Sequence, residues 1–359
     1  MALPSASSRT ATLRAKLSAY HCSSSNPTTS STTSSTTTTT TTTTPLKPLI
    51  AMSAHSALSA KIASQVTTTS VSSSSTTGST PPTAAVPAFD AIWVSGFELS
   101  ALHAVPDASI ISPSTHLSTT RDIFHSQPLP LIADLDTGFG NAVNLAYALP
   151  RYEAAGTSAV VIEDKTFPKD SSLRPGGRQH LVPIPEFQAK IRAAKELSSM
   201  IVIARTEALI AAATAVDTTT TTNPNQNQNR GQSEALARAL AYEEAGADAV
   251  LVHSKSSTPE EIISFCGAYT GNVPLVIVPT SYPRWSFEDV SRLTDNKVGL
   301  VICGNHAVRA AVAGMRRAFR RIADDRGIAG VQDEIASVED IFQLQGDDEL
   351  RELEKKYLP

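Results

Sequence analysis

Short, almost wholly apolar runs alternate with Ala-rich amphipathic stretches over most of this chain. The runs fall at residues 49–52, 91–95, 130–134, 159–163, 201–205, 249–253, 275–279 and 299–303. They are too short for core helices and rich in Val, Ile and Leu, so they read as strands buried on both faces, the pattern of a parallel sheet covered by helices. Between several of them apolar residues return at helical spacing, over 144–155, 184–197, 233–245 and 259–268. Two of these stretches close on Ala155-Gly156 and Ala245-Gly246, a helix stop ahead of the next strand. Eight such strand–helix units predict an α/β fold, a (β/α)8 TIM barrel. A doubly wound open sheet is the competing arrangement, but no GxGxxG follows the first strand to support it.

Three stretches break the pattern. Residues 23–44 are nearly all Ser and Thr, 66–87 are Ser/Thr-rich with Pro81-Pro82, and 213–232 carry a Thr run followed by Asn and Gln. Such composition buries too little apolar surface to offset chain entropy and predicts disorder. The first belongs to a low-complexity amino-terminal extension over 1–47. The other two read as insertions within a barrel unit over 48–359, placed in surface loops where added length costs little. No acidic residue precedes Asp90, whereas Arg9, Arg14, Lys16, Lys47 and Lys61 do. Two readings stand: an organellar, mitochondrial-type import segment, or an extension that carries no address.

Composition narrows the class. Hydrophobic residues make up 41% of the 359, enough for a sizeable core. The 30 Lys+Arg against 34 Asp+Glu leave no basic excess, which argues against a nucleic-acid partner. No apolar run approaches the roughly 20 residues of a membrane span, so no membrane partner is expected. Cys22, Cys266 and Cys303 form no CxxC pair, which excludes a disulfide scaffold and fits a reducing, cytoplasmic setting.

The strand ends carry the chemistry. In chain order from the second strand they are Ser95-Gly96, Asp134 with Asp136, Glu163, Arg205, His253-Ser254, Pro279-Thr280 and Gly304-Asn305-His306. A barrel brings all of these to one rim, where active sites lie. Asp134, Asp136 and Glu163 come from neighbouring strands with no Cys or His beside them, a hard-oxygen set suited to Mg²⁺ or Mn²⁺. The blander alternative is that some of them simply pair with nearby lysines. Arg205 and His253 offer donors for an anion, and the Ser95-Gly96 backbone offers N–H groups to a developing oxyanion.

Long strings around these residues resemble the phosphoenolpyruvate mutase/isocitrate lyase superfamily. They are residues 92–100 (Ile-Trp-Val-Ser-Gly-Phe-Glu-Leu-Ser), 134–141 (Asp-Leu-Asp-Thr-Gly-Phe-Gly-Asn), 163–169 (Glu-Asp-Lys-Thr-Phe-Pro-Lys), 204–208 (Ala-Arg-Thr-Glu-Ala) and 253–255 (His-Ser-Lys). The resemblance covers about residues 48–359, with a shorter match near residues 13–17. It implies a barrel that swaps its last helix between subunits, a homodimer or homotetramer, a loop after Glu163 that gates the site, and Mg²⁺, with Mn²⁺ or Co²⁺ as alternatives. By position it implies metal roles for Asp134, Asp136 and Glu163. It implies substrate contacts for Trp93, Ser95, Gly96 and Phe97, and phosphonyl contacts for Arg205 and His253. Asp107 and Lys169 match residues tied to chemistry or closure.

The loop 165–178 departs from the lyase branches, which carry a catalytic Cys there; this chain has none. The mutase branch has Asn two positions after the Lys of Phe-Pro-Lys, and the hydrolase branch has Thr. This chain has Ser171, which keeps the hydroxyl of Thr. The reaction so implied is Mg²⁺-dependent hydrolysis of 3-phosphonopyruvate to pyruvate and phosphate, with Asp107, Lys169, Ser171, Arg205 and His253 catalytic. Capture of the phosphoryl group by water and by Asp107 both remain open. The alternatives are a mutase, which returns phosphorus to the enolate oxygen, and an inactive barrel acting as a scaffold.

Overall fold

The structure is a computed structural model that describes residues 3–20, 46–69, 85–174, 176–177, 179–214 and 224–358. Its strands are β1 (Leu49–Ala54), β2 (Thr67–Thr69), β3 (Ala85–Pro87), β4 (Ala91–Val94), β5 (Leu131–Asp134), β6 (Ala159–Glu163), β7 (Ile201–Thr206), β8 (Ala249–Val252), β9 (Leu275–Ile277) and β10 (Val298–Cys303). Its helices are α1 (Ala6–Ser18), α2 (Ala57–Gln65), α3 (Gly96–Leu102), α4 (Pro113–Ser126), α5 (Ala142–Ala154), α6 (Ile184–Leu197), α7 (Ala208–Thr214), α8 (Pro224–Glu244), α9 (Glu260–Ala268), α10 (Phe287–Leu293), α11 (His306–Asp325), α12 (Val338–Gln345) and α13 (Asp347–Tyr357).

Eight parallel strands close on themselves in the order β1-β10-β9-β8-β7-β6-β5-β4. All eight expected strands are present. They are apolar throughout because both faces are covered. Successive side chains point to opposite faces, and the two phases enter different cores. Val161, Ile203, Leu251, Val276 and Ile302 fill the barrel interior. Val160, Ile162, Val202 and Ala204 pack outward on α5, α6 and α8. Continuing the inward phase past the last apolar layer gives Ser95, Asp134, Glu163, Arg205, His253, Thr280 and Gly304. One parity therefore sends a polar or small group from each of these strand ends toward a single mouth.

The other mouth is closed by α1. Leu13, Leu17 and Tyr20 join the interior core, Arg14 bonds Asp248 and the Ser199 carbonyl, and Lys16 bonds Asp90. Those partners all precede strands, so α1 sits across the strand starts. Residues 6–18 thus correct the expectation of a disordered extension over 1–47. Apolar residues at i, i+4 and close to i+7 give this otherwise polar helix one face that the barrel floor can bury. Residues 21–45, most of the Ser/Thr tract, lie outside the described residues.

The two insertions are also shorter than expected. Residues 67–69 and 85–87 pair as an antiparallel ladder, and the expected disorder between them falls on residues 70–84, outside the described residues. In the other, α7 runs to Thr214 and α8 starts at Pro224, so the disorder expected over 213–232 is corrected at both ends and residues 215–223 lie outside the described residues. The α8 helix docks on its neighbours at residues 231 and 232. A Cβ on Gly231 would stand 2.7 Å from that of Ala212, so glycine lets α7 and α8 approach closely, and Gln232 donates to the Glu261 carbonyl at 2.8 Å.

Candidate active site

A cavity of about 60 Å³ opens at the carboxyl ends of the strands. It is lined by Trp93, Ser95, Phe97, Asp107, Asp134, Lys169, Ser171, Arg205 and His253, nine of the twelve predicted site residues. The other three, Gly96, Asp136 and Glu163, stand directly behind that lining. Gly96 is glycine for a spatial reason: a Cβ there would lie 3.0 Å from Asp136 Oδ1 and 3.6 Å from Asp134 Oδ2. Ser95 caps α3, accepting from the Glu98 N–H at 3.3 Å and donating to the Gly304 carbonyl at 3.1 Å.

On one side lie the carboxylates. Asp134 ends β5, Glu163 ends β6, and Asp136 sits in the intervening turn with φ of +51°. The turn is pinned to the next strand by Glu163 N–H donating to the Asp136 carbonyl at 2.7 Å. Lys169 reaches back from the loop after β6, its Nζ 2.5 Å from Asp136 Oδ1 and 2.8 Å from Asp107 Oδ1. Of the three proposed metal ligands, Asp136 thus also pairs with a lysine. Burial alone would lower the Lys169 pKa, but these carboxylates more than offset it and raise it well above the usual value. Burial tends to raise Asp107; Lys169 and the Ser171 hydroxyl outweigh it and hold the carboxyl below its ordinary range.

On the other side, Arg205 and His253 meet, with Arg205 NH2 2.8 Å from His253 Nδ1. Glu163 and Arg205 are register partners across β6 and β7, and their side chains approach to 3.4 Å. Burial lowers the His253 pKa, opposed by Glu207. Arg205 stays a cation because Glu207 and Glu163 outweigh its burial.

Charge counting tests the metal. Asp107, Asp134, Asp136, Glu163 and Glu207 supply five carboxylates around this mouth, while Lys165, Lys169 and Arg205 supply three cations. The carboxylates outnumber those cations, which favours a bound cation among them. Burial raises Asp134, and raises Asp136 to about 7 even against Lys169, as expected of carboxylates short of positive charge. Glu163 Oε1 is buried without a hydrogen-bond partner. Among the described residues no three Asp, Glu, His or Cys side chains form a direct cage. The set therefore fits Mg²⁺, which keeps several of its waters, better than an all-protein site.

Several lining residues were not predicted: Ser172, Leu173, Val278, Thr280, Gly304 and Asn305. Glu207, behind Arg205, was also missed. Thr280, Gly304 and Asn305 lie at strand ends already noticed in the sequence; parity along their strands was the signal for Thr280 and Gly304, while Asn305 has the other phase and carried no such signal. Asp164 does not join the site. It has the outward phase and is buried against α8, accepting from Tyr242 at 2.7 Å, Thr206 at 2.9 Å and Arg238 at 3.3 Å. Pro175 and Arg178 of the loop lie outside the described residues.

Comparison with known proteins follows this geometry. The family model described as phosphoenolpyruvate phosphomutase matches residues 42–323. Phosphonopyruvate hydrolase of Variovorax sp. (strain Pal2) is 50% identical over 311 residues, 86% of this chain and 93% of that protein. Phosphoenolpyruvate phosphomutase of Tetrahymena pyriformis is 36% identical over 310 residues, 86% of this chain and 90% of that protein. A crystal structure of phosphonopyruvate hydrolase in complex with oxalate and Mg²⁺ superposes with a TM-score of 0.75 at 43% identity, covering 98% of this chain and 99% of that one.

Proposed function

We propose that this chain, which belongs to the phosphoenolpyruvate phosphomutase family, hydrolyses the carbon–phosphorus bond of 3-phosphonopyruvate to pyruvate and phosphate. The observation that carries this reading is the 50% identity to a phosphonopyruvate hydrolase over 86% of the chain, against 36% to a phosphomutase over the same share. The hydroxyl at Ser171, held against Asp107 inside the cavity, supports it.

The P–C bond breaks with its electron pair passing to the organic fragment, which leaves as the enolate of pyruvate. Water oxygen bonds to phosphorus, and the enolate takes a proton at carbon to become pyruvate. Mg²⁺, held by Asp134, Asp136 and Glu163 directly or through water, would supply Lewis-acid stabilisation of the enolate charge; Mn²⁺ or Co²⁺ would serve the same ligands. The Ser95-Gly96 backbone adds N–H donors at that end, with Trp93 and Phe97 walling the pocket. Arg205 and His253 receive the phosphonyl oxygens and hold phosphorus in line for transfer. Lys169 keeps Asp107 ionised, so Asp107 either orients the water through Ser171 or takes the phosphoryl group itself. The gate over the site is the loop carrying Lys169 and Ser171.

The same reading places the enzyme in the cytoplasm, and the burial of α1 in the barrel floor supports keeping residues 6–18 on the working protein rather than as an import leader. Among the described residues no helix is long and apolar enough to cross a membrane. The C-terminal helices support assembly with further copies of the chain, as a homodimer or homotetramer.

The deciding experiment incubates the protein with phosphonopyruvate and Mg²⁺ and measures pyruvate, phosphate and phosphoenolpyruvate. Pyruvate and phosphate in equal amounts are expected, with loss on chelation. Phosphoenolpyruvate as the main product would make the chain a mutase. Failure to bind Mg²⁺ and oxalate in titration calorimetry would make it a scaffold. Ser171→Asn is expected to lower phosphate release by about 100-fold, measured in the same assay.

A further inference from the structure

Glu207 stands two residues beyond Arg205 and is completely buried. Its Oε1 accepts from Arg205 Nε at 2.5 Å and lies 2.9 Å from His253 Nδ1. Its Oε2 accepts from the Ser172 hydroxyl at 2.8 Å and lies 3.7 Å from Lys165 Nζ. Its own N–H donates to Asp164 Oδ1 at 2.9 Å, which ties the residue to the strut formed by Asp164, Tyr242 and Arg238. One carboxylate therefore joins the barrel-wall pair Arg205–His253 to the loop that follows β6.

The hydrogen bonds leave little slack. The Ser172 hydroxyl has one proton, given to Glu207, and its lone pairs face Lys165 Nζ and, at 3.4 Å, Arg205 NH2. His253 Nδ1 has either a proton or a lone pair, while Arg205 NH2 and Glu207 Oε1 stand within 2.9 Å of it. Accepting from Arg205 leaves the proton on Nε2, where it serves as a donor; donating to Glu207 strips Nε2 unless the ring is a cation. The position and charge of Glu207 bear on that choice, and Ser172 of the loop bears on the position of Glu207.

We propose that Glu207 is a positioning residue that aligns Arg205 and His253 for the phosphonyl group and makes that alignment depend on Ser172 of the loop. The ligand's identity rests on the hydrolase reading above; the coupling rests on the geometry alone. Outer partners that orient the groups touching a ligand are commonly worth about 10- to 100-fold in activity.

The test is a double-mutant cycle of Glu207→Gln and Ser172→Ala, with inhibition measured at each end of the site. Gln keeps the shape but turns one acceptor into a donor that faces other donors. In E207Q, kcat/KM is expected to fall by about 10- to 100-fold. Competitive inhibition by inorganic phosphate should weaken about tenfold, while inhibition by oxalate with Mg²⁺ stays within about twofold. A general structural loss would weaken both inhibitors together. The double variant should be no worse than E207Q alone, because Ser172 acts through Glu207. Additive effects, equal losses toward both inhibitors, or an E207Q enzyme within about twofold of the parent would each overturn the proposal. Should E207Q fail to fold by circular dichroism, Glu207→Asp, which withdraws the carboxylate by one methylene, is held to the same inhibitor criterion. Wild-type product formation tests the hydrolase reading separately: if phosphoenolpyruvate is formed, the cycle is run on that product.

Discussion

His116, on α4, illustrates how a single buried group contributes to the protein's response to acid. Its ring is 4% exposed, Nδ1 faces the Tyr152 hydroxyl at 2.8 Å, and it packs on Phe139 of the turn that carries the carboxylates. Burial, with Lys169 nearby, pushes its pKa down to about 4 from an ordinary 6.5. The unfolded chain therefore takes up a proton below pH 6.5 that the folded chain refuses until about pH 4. Stability from this group is intact above pH 6.5 and is lost as pH falls between those values. The expected loss between pH 7 and pH 5 is about 2 kcal/mol. Urea unfolding at the two pH values should show the change in stability differing by that amount between the parent and His116→Asn, since Asp136, raised to about 7, acts in the opposite sense in both; equal pH sensitivity in both would remove His116 as a contributor. Ser171 teaches a different lesson at this scale. As a residue in a polar loop it is unremarkable, and its weight comes from lying against Asp107, which only the folded loop brings to it.

At the scale of elements, α1 and α8 are where composition misleads. The α1 sequence is mostly Ser, Thr, Ala and basic residues, yet Leu13 is completely buried on the barrel floor. Leu13→Ala is expected to cost about 2–5 kcal/mol of stability, read by chemical denaturation. Specific activity well below the transition should be unchanged, because α1 closes the mouth opposite the active site. An unchanged denaturation midpoint would mean that the helix is not part of the stable fold. The α8 helix begins in Asn and Gln, and further along it Arg238 and Tyr242 grip Asp164 next to Glu163. It thereby ties the outer helix layer to Asp164, at the start of the loop that follows β6. Local periodicity gave the end of α8 near Ala245-Gly246 but missed its start and missed α1, where docking on α7 and on the barrel floor supplies the stability.

The whole molecule leaves an apolar surface along its carboxyl-terminal helices. Phe319 is 66% exposed, Val338 70% and Leu353 54%, with Met315, Phe342 and Leu350 also open to solvent. A monomeric soluble protein rarely carries so extended an apolar face, so the wild-type chain is expected to sediment as a multiple of its 37.9 kDa. Charged replacements such as Phe319→Asp with Phe342→Asp should shift it toward the single mass. A 37.9 kDa species alone for the wild type at micromolar concentration would refute assembly.

Much of this architecture is present in the one-dimensional pattern, for a physical reason. Parallel strands covered on both faces must be apolar at every position, so 159–163 or 201–205 cannot be mistaken for half-solvated strands. The polar residue that ends each run must also lie where the barrel opens. Asp134, Glu163, Arg205 and His253 follow from that alone, since a period of two fixes their phase. What the tertiary structure decided is which of the remaining polar residues belong together. Asp164 and Glu207 are both acidic, buried and adjacent to predicted site residues. Asp164 has the outward phase and becomes a strut to α8, whereas Glu207 turns inward and gathers Arg205, His253, Ser172 and Lys165. The period of two sets their opposite phases, but the partners each one finds lie as far as 35 and 78 positions away, and no local pattern encodes those.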